Sequence, residues 1–539
     1  MLKNVSKALI ATGLTMAPFA AMAAEGKLVP EVHFLSWPAA KYQVYAESSN
    51  YIAEQWRKLG LKVRVDQVAF PNPMLAMWFK EHKFDVVLSS LSGAPYRLEP
   101  DFFTYAQFNS KNAAPGNWNV GEFSNATVDK LGEQQLGMYV PEKRREVIHD
   151  LQKALHDNMP EIVLNYTVSS FAINSDNMSI DDYQHSPQGI RANQNILRMK
   201  TKSGKAVRIG WTVSYTTVNP LVASTIEDLD LVALMYDRLI WIAPNGSPEM
   251  MLAKSFEVVD DKTVDVQIRT DHTFSDGKPV TAEDVKFSFD YFKKWEAVYL
   301  KKYLSRLASV EIRGKDTVRF KLSQPYAPFI MNTLGQVYVL PKHIWSTLVK
   351  DKGLKKPQDF ANTKPIGSGP YTLKYRKEGQ EVYLSRRADH FAKPKSDILH
   401  IIFGSAEVIG QTLKKGSIDA SFQPLVPTSI SEFTSAKNIK IYDAKSNGYN
   451  SARFKVTGPV FWNLDLRRAL SHAVPYQAII DEIYGGNASK SASSITPVNA
   501  YWHNASLPEP KLDLDKAKAM LKDAGFTWDG DGRLHFPAE

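Results

Sequence analysis

There is no cysteine among the 539 residues. That excludes disulfides, a cysteine-borne lipid anchor and thiolate metal ligands, and an exported chain without cysteine suits a bacterial periplasm. Beyond the first two dozen residues there is no run of the roughly 18 uninterrupted apolar residues that a membrane span requires, so the mature protein is expected to be soluble. A basic tract is missing too. The formal charge of +9 is spread along the chain, which argues for a solvated surface and against nucleic-acid binding. Nor is there a G-x-S-x-G elbow or an H-E-x-x-H helix, and the 12 histidines show no ligand spacing such as H-x-x-x-H. "IGSGPY" has glycines without the strand-to-helix context of a phosphate loop. "DGDG" near the end lacks the acidic twelfth-position ligand of a calcium loop, and both read as turns. No catalytic residue, no cofactor and no directly bound metal is expected.

What is present begins with "MLKNVSKALIATGLTMAPFAAMAAEG": Lys3 and Lys7, an apolar stretch, then the small residues Ala21, Ala23 and Ala24. This is the pattern of a cleavable secretory signal over residues 1–24. A membrane anchor is the alternative, but the apolar run is short and is broken by Thr15 and Pro18. With 44% apolar residues and this length, two or three domains with real cores are expected.

The first mature segment reads as strand, helix, strand, helix, strand. Val32 and Phe34 alternate with Glu31 and His33. Tyr51, Ile52, Gln55, Trp56 and Leu59 then fall largely at helical spacing, and Gly60 stops the helix. "LKVRVDQV" alternates, a short helical stretch "PMLAMWFKEHK" follows, and "FDVVLSSL" is a nearly continuous apolar run of the kind buried on both faces of a sheet. Such βαβ units imply parallel strands with a crevice at their carboxyl ends. "PEKRREVIHDLQKALHDNMP" is an amphipathic helix, and residues 201–207, "TKSGKAV", read as a linker. After it, "DLDLVALMYDRLIW" reads as a helix running into a strand, and Thr281 with Asp284 marks a helix start. "TVDVQIR" and "SVEIRGKDTVRFKLS" alternate as antiparallel strands. The class is α/β in at least two lobes.

Around residues 249–289 the chain resembles the periplasmic solute-binding proteins for peptides and nickel chelates, receptors of ABC importers. "PEMMLAKSFEVVDDKTVDVQIRTDHTFSDGKPVTAEDVKFSFDY" carries that resemblance. "PIGSGPYTL" (365–373), "NLDLRRALSHAVPYQAIIDEIYGG" (463–486), "YIAEQWRKLGLKV", "FDVVL" and "FSNATVDKL" agree with it. The blocks stand in an unusual order. Reading 206–539 and then 25–200 restores the family order, so the chain resembles a circularly permuted member. The cut would then fall in a hairpin formed by "DGRLHF" and "KLVPEVHFL", with Phe536 and Val32 on neighbouring strands. Two half-proteins that swap between chains would give the same order.

The resemblance implies a two-lobed, type II, three-subdomain fold, circularly permuted. Residues 25–168 and 447–539 would form one lobe. Residues 169–240 and 359–446 would form the other, with an extra subdomain at 241–358. It implies a monomeric periplasmic receptor without a lipid anchor that closes on a small organic solute, peptide-like, opine-like or oligosaccharide. The partners would be an ABC permease and its ATPase at the inner membrane. A receptor for a chelated metal such as a nickel chelate, a sensor or chaperone, and last a secreted hydrolase are the alternatives.

Candidate ligand contacts follow. Ser90, Ser92, Gly93, Tyr96 and Arg97 lie in the polar loop after the buried strand, where a crevice is expected. In the dipeptide and oligopeptide receptors this loop supplies an aspartate for the ligand's ammonium group. Here Gly93, Ala94 and Pro95 stand at that place, which disfavours free peptides. Arg97 offers a fork for an anion, or pairs with Glu99 or Asp101. Ser214, Tyr215, Thr216 and Thr217 follow a strand and either donate to a ligand or form a solvated turn before Asn219. Trp118, Tyr449 and Trp462 offer rings for stacking, or belong to cores.

Overall fold

A computed structural model describes residues 26–91, 93, 97–426 and 430–538. The segment read as a secretory signal and the candidate residues Ser92 and Tyr96 lie outside the described residues. Among those described, no helix is long and apolar enough to cross a membrane.

The expected βαβ unit forms. Strand β1 (Val32–Ser36) pairs in parallel with β2 (Val63–Gln67) and β3 (Val86–Leu91), and α1 (Ala39–Arg57) makes the first crossover. Gly60 ends that crossover at φ +91°, the left-handed conformation that glycine enters without a Cβ penalty. Val32, Phe34, Ile52, Trp56, Val86 and Leu88 are all buried in the resulting core. Their alternation on the strands and helical spacing on α1 are what bring them together.

The element that organises the whole molecule is β4 (Glu161–Asn174), a strand of 14 residues. Its first part pairs with Tyr449–Phe454, which in turn pairs with β3. Its later part pairs with Ile439–Lys445 and with Ala420–Ser421. From there the order continues through Val207–Trp211, Ile398–Ile402, Glu381–Arg386 and Tyr371–Lys377. Two lobes therefore share one strand. The second carries a separate four-stranded antiparallel sheet built from Ala253–Asp260, Thr263–Ile268, Thr317–Leu322 and Leu307–Ile312. The helix Ala282–Lys294 covers that sheet and opens with the expected capping box between Thr281 and Asp284.

The stretch read as a linker is a tight turn. Met199–Thr201 is a strand, the Thr201 hydroxyl donates to the Lys205 carbonyl at 2.6 Å, and Val207 already begins the next strand. The expected pairing of Val32 with Phe536 is not formed; in its place an isolated antiparallel bridge stands four residues earlier. Leu28 bridges His535 in antiparallel fashion, the Val29 N–H donates to the Leu534 carbonyl at 2.9 Å, and the Phe536 N–H donates to the Lys27 carbonyl at 2.9 Å. Val32 belongs to the parallel strand that follows, although it and Phe536 lie in the same core.

Candidate functional site

The chain passes between the lobes at two adjacent places, inside β4 near Asn165–Val168 and at residues 446–448. The second crossing is stitched to the first by the Ser446 N–H, which donates to the Thr167 carbonyl at 2.8 Å. Beneath it lies a buried network. Glu161 accepts from the Tyr449 hydroxyl at 2.7 Å, the Ser451 hydroxyl at 2.7 Å and the Arg453 guanidinium at 2.8 Å. Burial and the neighbouring Glu161 carboxylate push the Tyr449 hydroxyl well above its ordinary pKa, so it is a fixed donor. A buried charge pair satisfied on this many sides holds its register, and a hinge needs a root that does not shift.

In front of this root, at the carboxyl ends of β1 and β3, is a cavity of about 470 Å³. One wall is aromatic. Trp37, directly after β1, has Tyr42, Tyr45 and Phe70 around it at ring distances of 4.9, 5.2 and 4.7 Å. Trp37 is fixed by its indole N–H, which donates to the Leu88 carbonyl at 2.8 Å. The other wall is made by Ser90, Thr167, Ser446 and Asn450, neutral groups that can exchange hydrogen bonds with a solute. Gly93 lets the β3 loop lie against the hinge. A Cβ there would come within 2.4 Å of Asn447 Oδ1 and 2.7 Å of the Gly448 nitrogen.

Further along the same loop, Leu98 covers a smaller space of about 60 Å³ on the opposite lobe, where Asp230, Arg238, Trp241 and Tyr299 stand. The lobes touch beyond it. The Tyr139 hydroxyl donates to the Asp261 carbonyl at 3.0 Å and accepts from the Tyr326 N–H at 3.1 Å. The Trp502 indole donates to the Gly246 carbonyl at 3.0 Å, and the Tyr501 N–H to the Asn245 carbonyl at 3.1 Å. These bonds join the two lobes on the far side of that space.

Of the residues expected at the site, Ser90, Gly93 and Tyr449 line the hinge cavity. Arg97 lies in the connecting loop with its guanidinium 4.6 Å from the Phe102 ring centre. Glu99, one of its expected partners, is held by Arg144 at 3.1 Å. Trp118 packs edge-on against Phe79 and Phe102 at 5.2 and 5.0 Å and belongs to that cluster.

Three expectations are corrected. Tyr215 is buried in the core of its lobe, its ring against Trp211 and His400. Thr216 and Thr217 form a capped turn: the Thr216 hydroxyl donates to Asp228, and the Thr217 hydroxyl accepts the Asn219 N–H at 3.0 Å. Ser214 beside them is half-buried. Trp462 is 56% exposed and stacks on Phe536 at 5.4 Å, beside the hairpin between 27–29 and 534–536 and not in the cleft. The aromatic wall went unread in the sequence. Its signal was "WPAAKYQVY", three rings placed just past the carboxyl end of the first strand.

The structure also gathers Asp237, His272 and His390, whose ligand atoms lie within 4.8 Å of one another and are buried. Histidines 118 residues apart could not show this by spacing. The Ala392 N–H points at His390 Nδ1 at 3.0 Å, which makes that nitrogen an acceptor and leaves the proton on Nε2, facing Asp237 at 3.2 Å. His272 Nε2 lies 2.7 Å from the Ser368 carbonyl, so it too carries its proton there. Both nitrogens that face the carboxylate are donors, which suits a hydrogen-bonded cluster and not metal ligation. Burial alone would raise the Asp237 pKa; the bonds from both histidines outweigh it and hold the carboxyl down to about 2.

Comparison with known proteins follows this geometry. The family profile described as "Bacterial extracellular solute-binding proteins, family 5 Middle" matches residues 247–538. The oligopeptide-binding protein AppA of Bacillus subtilis is 27% identical over 347 residues, covering 62% of this chain and 62% of that protein. Di/tripeptide-binding protein 3 of Pseudomonas aeruginosa is 27% identical over 335 residues, covering 57% of this chain and 62% of that one. The chain thus spans less than two thirds of the length of these relatives. Among solved structures, HbpA2 from Haemophilus parasuis superposes with a TM-score of 0.50 at 21% identity, over 60% of this chain and 67% of that one.

Proposed function

The chain belongs to the family 5 bacterial extracellular solute-binding proteins, and from that premise we propose that it is a periplasmic receptor that traps a small organic solute between its lobes and delivers it to an ABC permease. The observation that carries this reading is the pair of crossings at β4 and 446–448, with the cavity of about 470 Å³ directly in front of them. Two lobes joined at one narrow root can open by small backbone rotations, and closing buries a ligand between two surfaces that each recognise part of it. Relatives that bind oligopeptides and di- or tripeptides support a peptide-like solute. The aromatic wall with neutral hydrogen-bonding groups opposite also suits an opine-like or sugar-like ring.

The test is small-angle scattering of the purified protein with its bound solutes, after their removal by partial unfolding, and after they are added back. The expected result is a larger radius of gyration for the stripped protein, reversed by the solutes. Mass spectrometry of the released fraction identifies them. Chemical turnover of a released solute by the protein, or a radius that never changes, would overturn the receptor reading.

A further inference from the structure

A second cavity, of about 480 Å³, lies within the lobe built on β1–β3 and shares no lining residue with the hinge cavity. It is bounded by the last turns of the helix Pro141–Asn158, the start of β4, the end of the helix Leu464–Ser471 and the loop before the helix Leu514–Asp523. Phe108, Leu155 and Ile162 stand in the buried part of its lining. The polar groups there are already bonded. Gln152 donates to the Trp502 carbonyl at 2.8 Å and accepts from the Ser493 hydroxyl at 2.8 Å, and the Ser494 hydroxyl donates to the Phe103 carbonyl at 2.8 Å. Glu161 is the acceptor of Tyr449, Ser451 and Arg453. A molecule in contact with these groups gains no hydrogen bond from them, so the inner space takes an apolar body.

The outer part of the lining is charged, and most of its charges are answered. His156 stands 3.4 Å from Asp157, Arg468 3.9 Å from Asp465, and Glu509 3.8 Å from Lys490. Lys511 and Lys516 have no ion pair among the described residues. Of the lining acids Asp513 remains, and it is spent on the helix that follows, accepting the Lys516 N–H at 2.8 Å. Two lysines therefore face one aspartate. Burial, and after it the Lys516 charge, lowers the His472 pKa, so that charge is felt at the ring that borders the cavity.

We propose that this cavity is a second binding site, which takes an organic monoanion with an apolar body, the body in the buried part and the carboxylate between Lys511 and Lys516. The volume falls within the roughly 300–1,000 Å³ of small-molecule sites, and an apolar interior with a few charged groups at one side is their usual make-up. An inorganic anion would leave the apolar part empty, and a neutral apolar molecule would leave the two ammonium groups unanswered. The site does not depend on the receptor reading, because its lining is its own. Its position bears on the hinge all the same. Glu161 borders this cavity, and Tyr449, which donates to it at 2.7 Å, borders the hinge cavity.

The probe is sodium octanoate, compared with 1-octanol, which keeps the body, and with sodium acetate, which keeps the charge. Thermal shift and calorimetric titration are read on the full chain, on the double variant K511A/K516A and on A492W. Both lysines are exposed, so the double variant is expected to melt with the parent. Ala492 is half-buried in the same lining, and a tryptophan there fills the space. Octanoate is expected to bind once per chain and to raise the melting temperature, with octanol and acetate at least about fivefold weaker. K511A/K516A should weaken octanoate by at least about fivefold and leave octanol unchanged, and A492W should remove octanoate binding. No octanoate binding, equal binding of octanol, or a double variant that titrates like the parent overturns the proposal. So does octanoate that binds A492W as it binds the parent, since it then occupies another place. Should A492W not fold, the lysine pair decides alone.

Discussion

His400 shows how a single residue can carry a pH dependence without any part in binding. It lies in the strand Ile398–Ile402, 1% exposed, packed against Trp211, Tyr215 and Phe422, and neither ring nitrogen has a hydrogen-bond partner among the described residues. Burial, aided by the Arg191 charge, holds its pKa down to about 3. In the unfolded chain the same histidine protonates near 6.5. Below that pH the unfolded state binds the extra proton and the folded state does not, so stability falls as pH drops from about 6.5 towards 3. His400→Phe keeps a ring and removes two unsatisfied buried nitrogens, and is expected to stabilise the protein by about 1–3 kcal/mol at pH 7. The advantage should grow by about 1.4 kcal/mol per pH unit between pH 6 and 4. Urea unfolding of both proteins across that range checks it, and a constant difference would sink the argument. In the sequence, "LHII" gave no hint that this histidine lacks a partner, because its neighbours come from three other segments.

At the scale of elements, the strand and helix patterns were legible wherever one face alternates. The βαβ unit, the capped helix after Thr281 and the antiparallel subdomain all follow from local periodicity and capping chemistry. The double pairing of β4 was not legible, because a strand's partners on its two ends are chosen by elements almost 300 residues away. Nor was one of the contacts that join the lobes. It depends on the segment between the helices Ala126–Leu136 and Pro141–Asn158, where Tyr139 reaches the antiparallel subdomain. Tyr139→Phe removes a hydroxyl that both donates and accepts across the lobes, two bonds worth about 1 kcal/mol each. Neither bond belongs to the core of a lobe, so the melting temperature of the ligand-free protein should hardly move. Solute affinity is expected to fall up to about thirtyfold, through faster release. Calorimetric titration with the copurified solute tests this. A loss of stability without a loss of affinity would mean that Tyr139 supports a lobe and not closure.

Over the whole molecule, the question is how a receptor fold accommodates its blocks in this order. Residues 26–29 and 526–536 pack as one unit. The Gly26 carbonyl faces His535 Nδ1 at 2.8 Å, and a Cβ on Gly26 would lie 1.8 Å from the Phe536 carbonyl oxygen. The Leu534 N–H donates to the Gly60 carbonyl at 2.9 Å, and the Trp528 indole to the Leu59 carbonyl at 2.8 Å. These bonds tie the segment to the end of α1, inside one lobe and away from both hinge crossings. A connection there changes chain entropy and little else, since loop closure grows only as the logarithm of length. We therefore propose that the order is a circular permutation of one closed fold. A variant that places residues 206–539 first and 25–205 after them, behind the same residues 1–24, should fold as a monomer. Its melting temperature should lie within about 4 °C of the parent, with unchanged solute affinity. Sedimentation and calorimetry distinguish the outcomes. A variant that does not fold would mean that the turn at 201–206 is a structural requirement, and a parent that sediments as a dimer would mean that the two halves pair between chains.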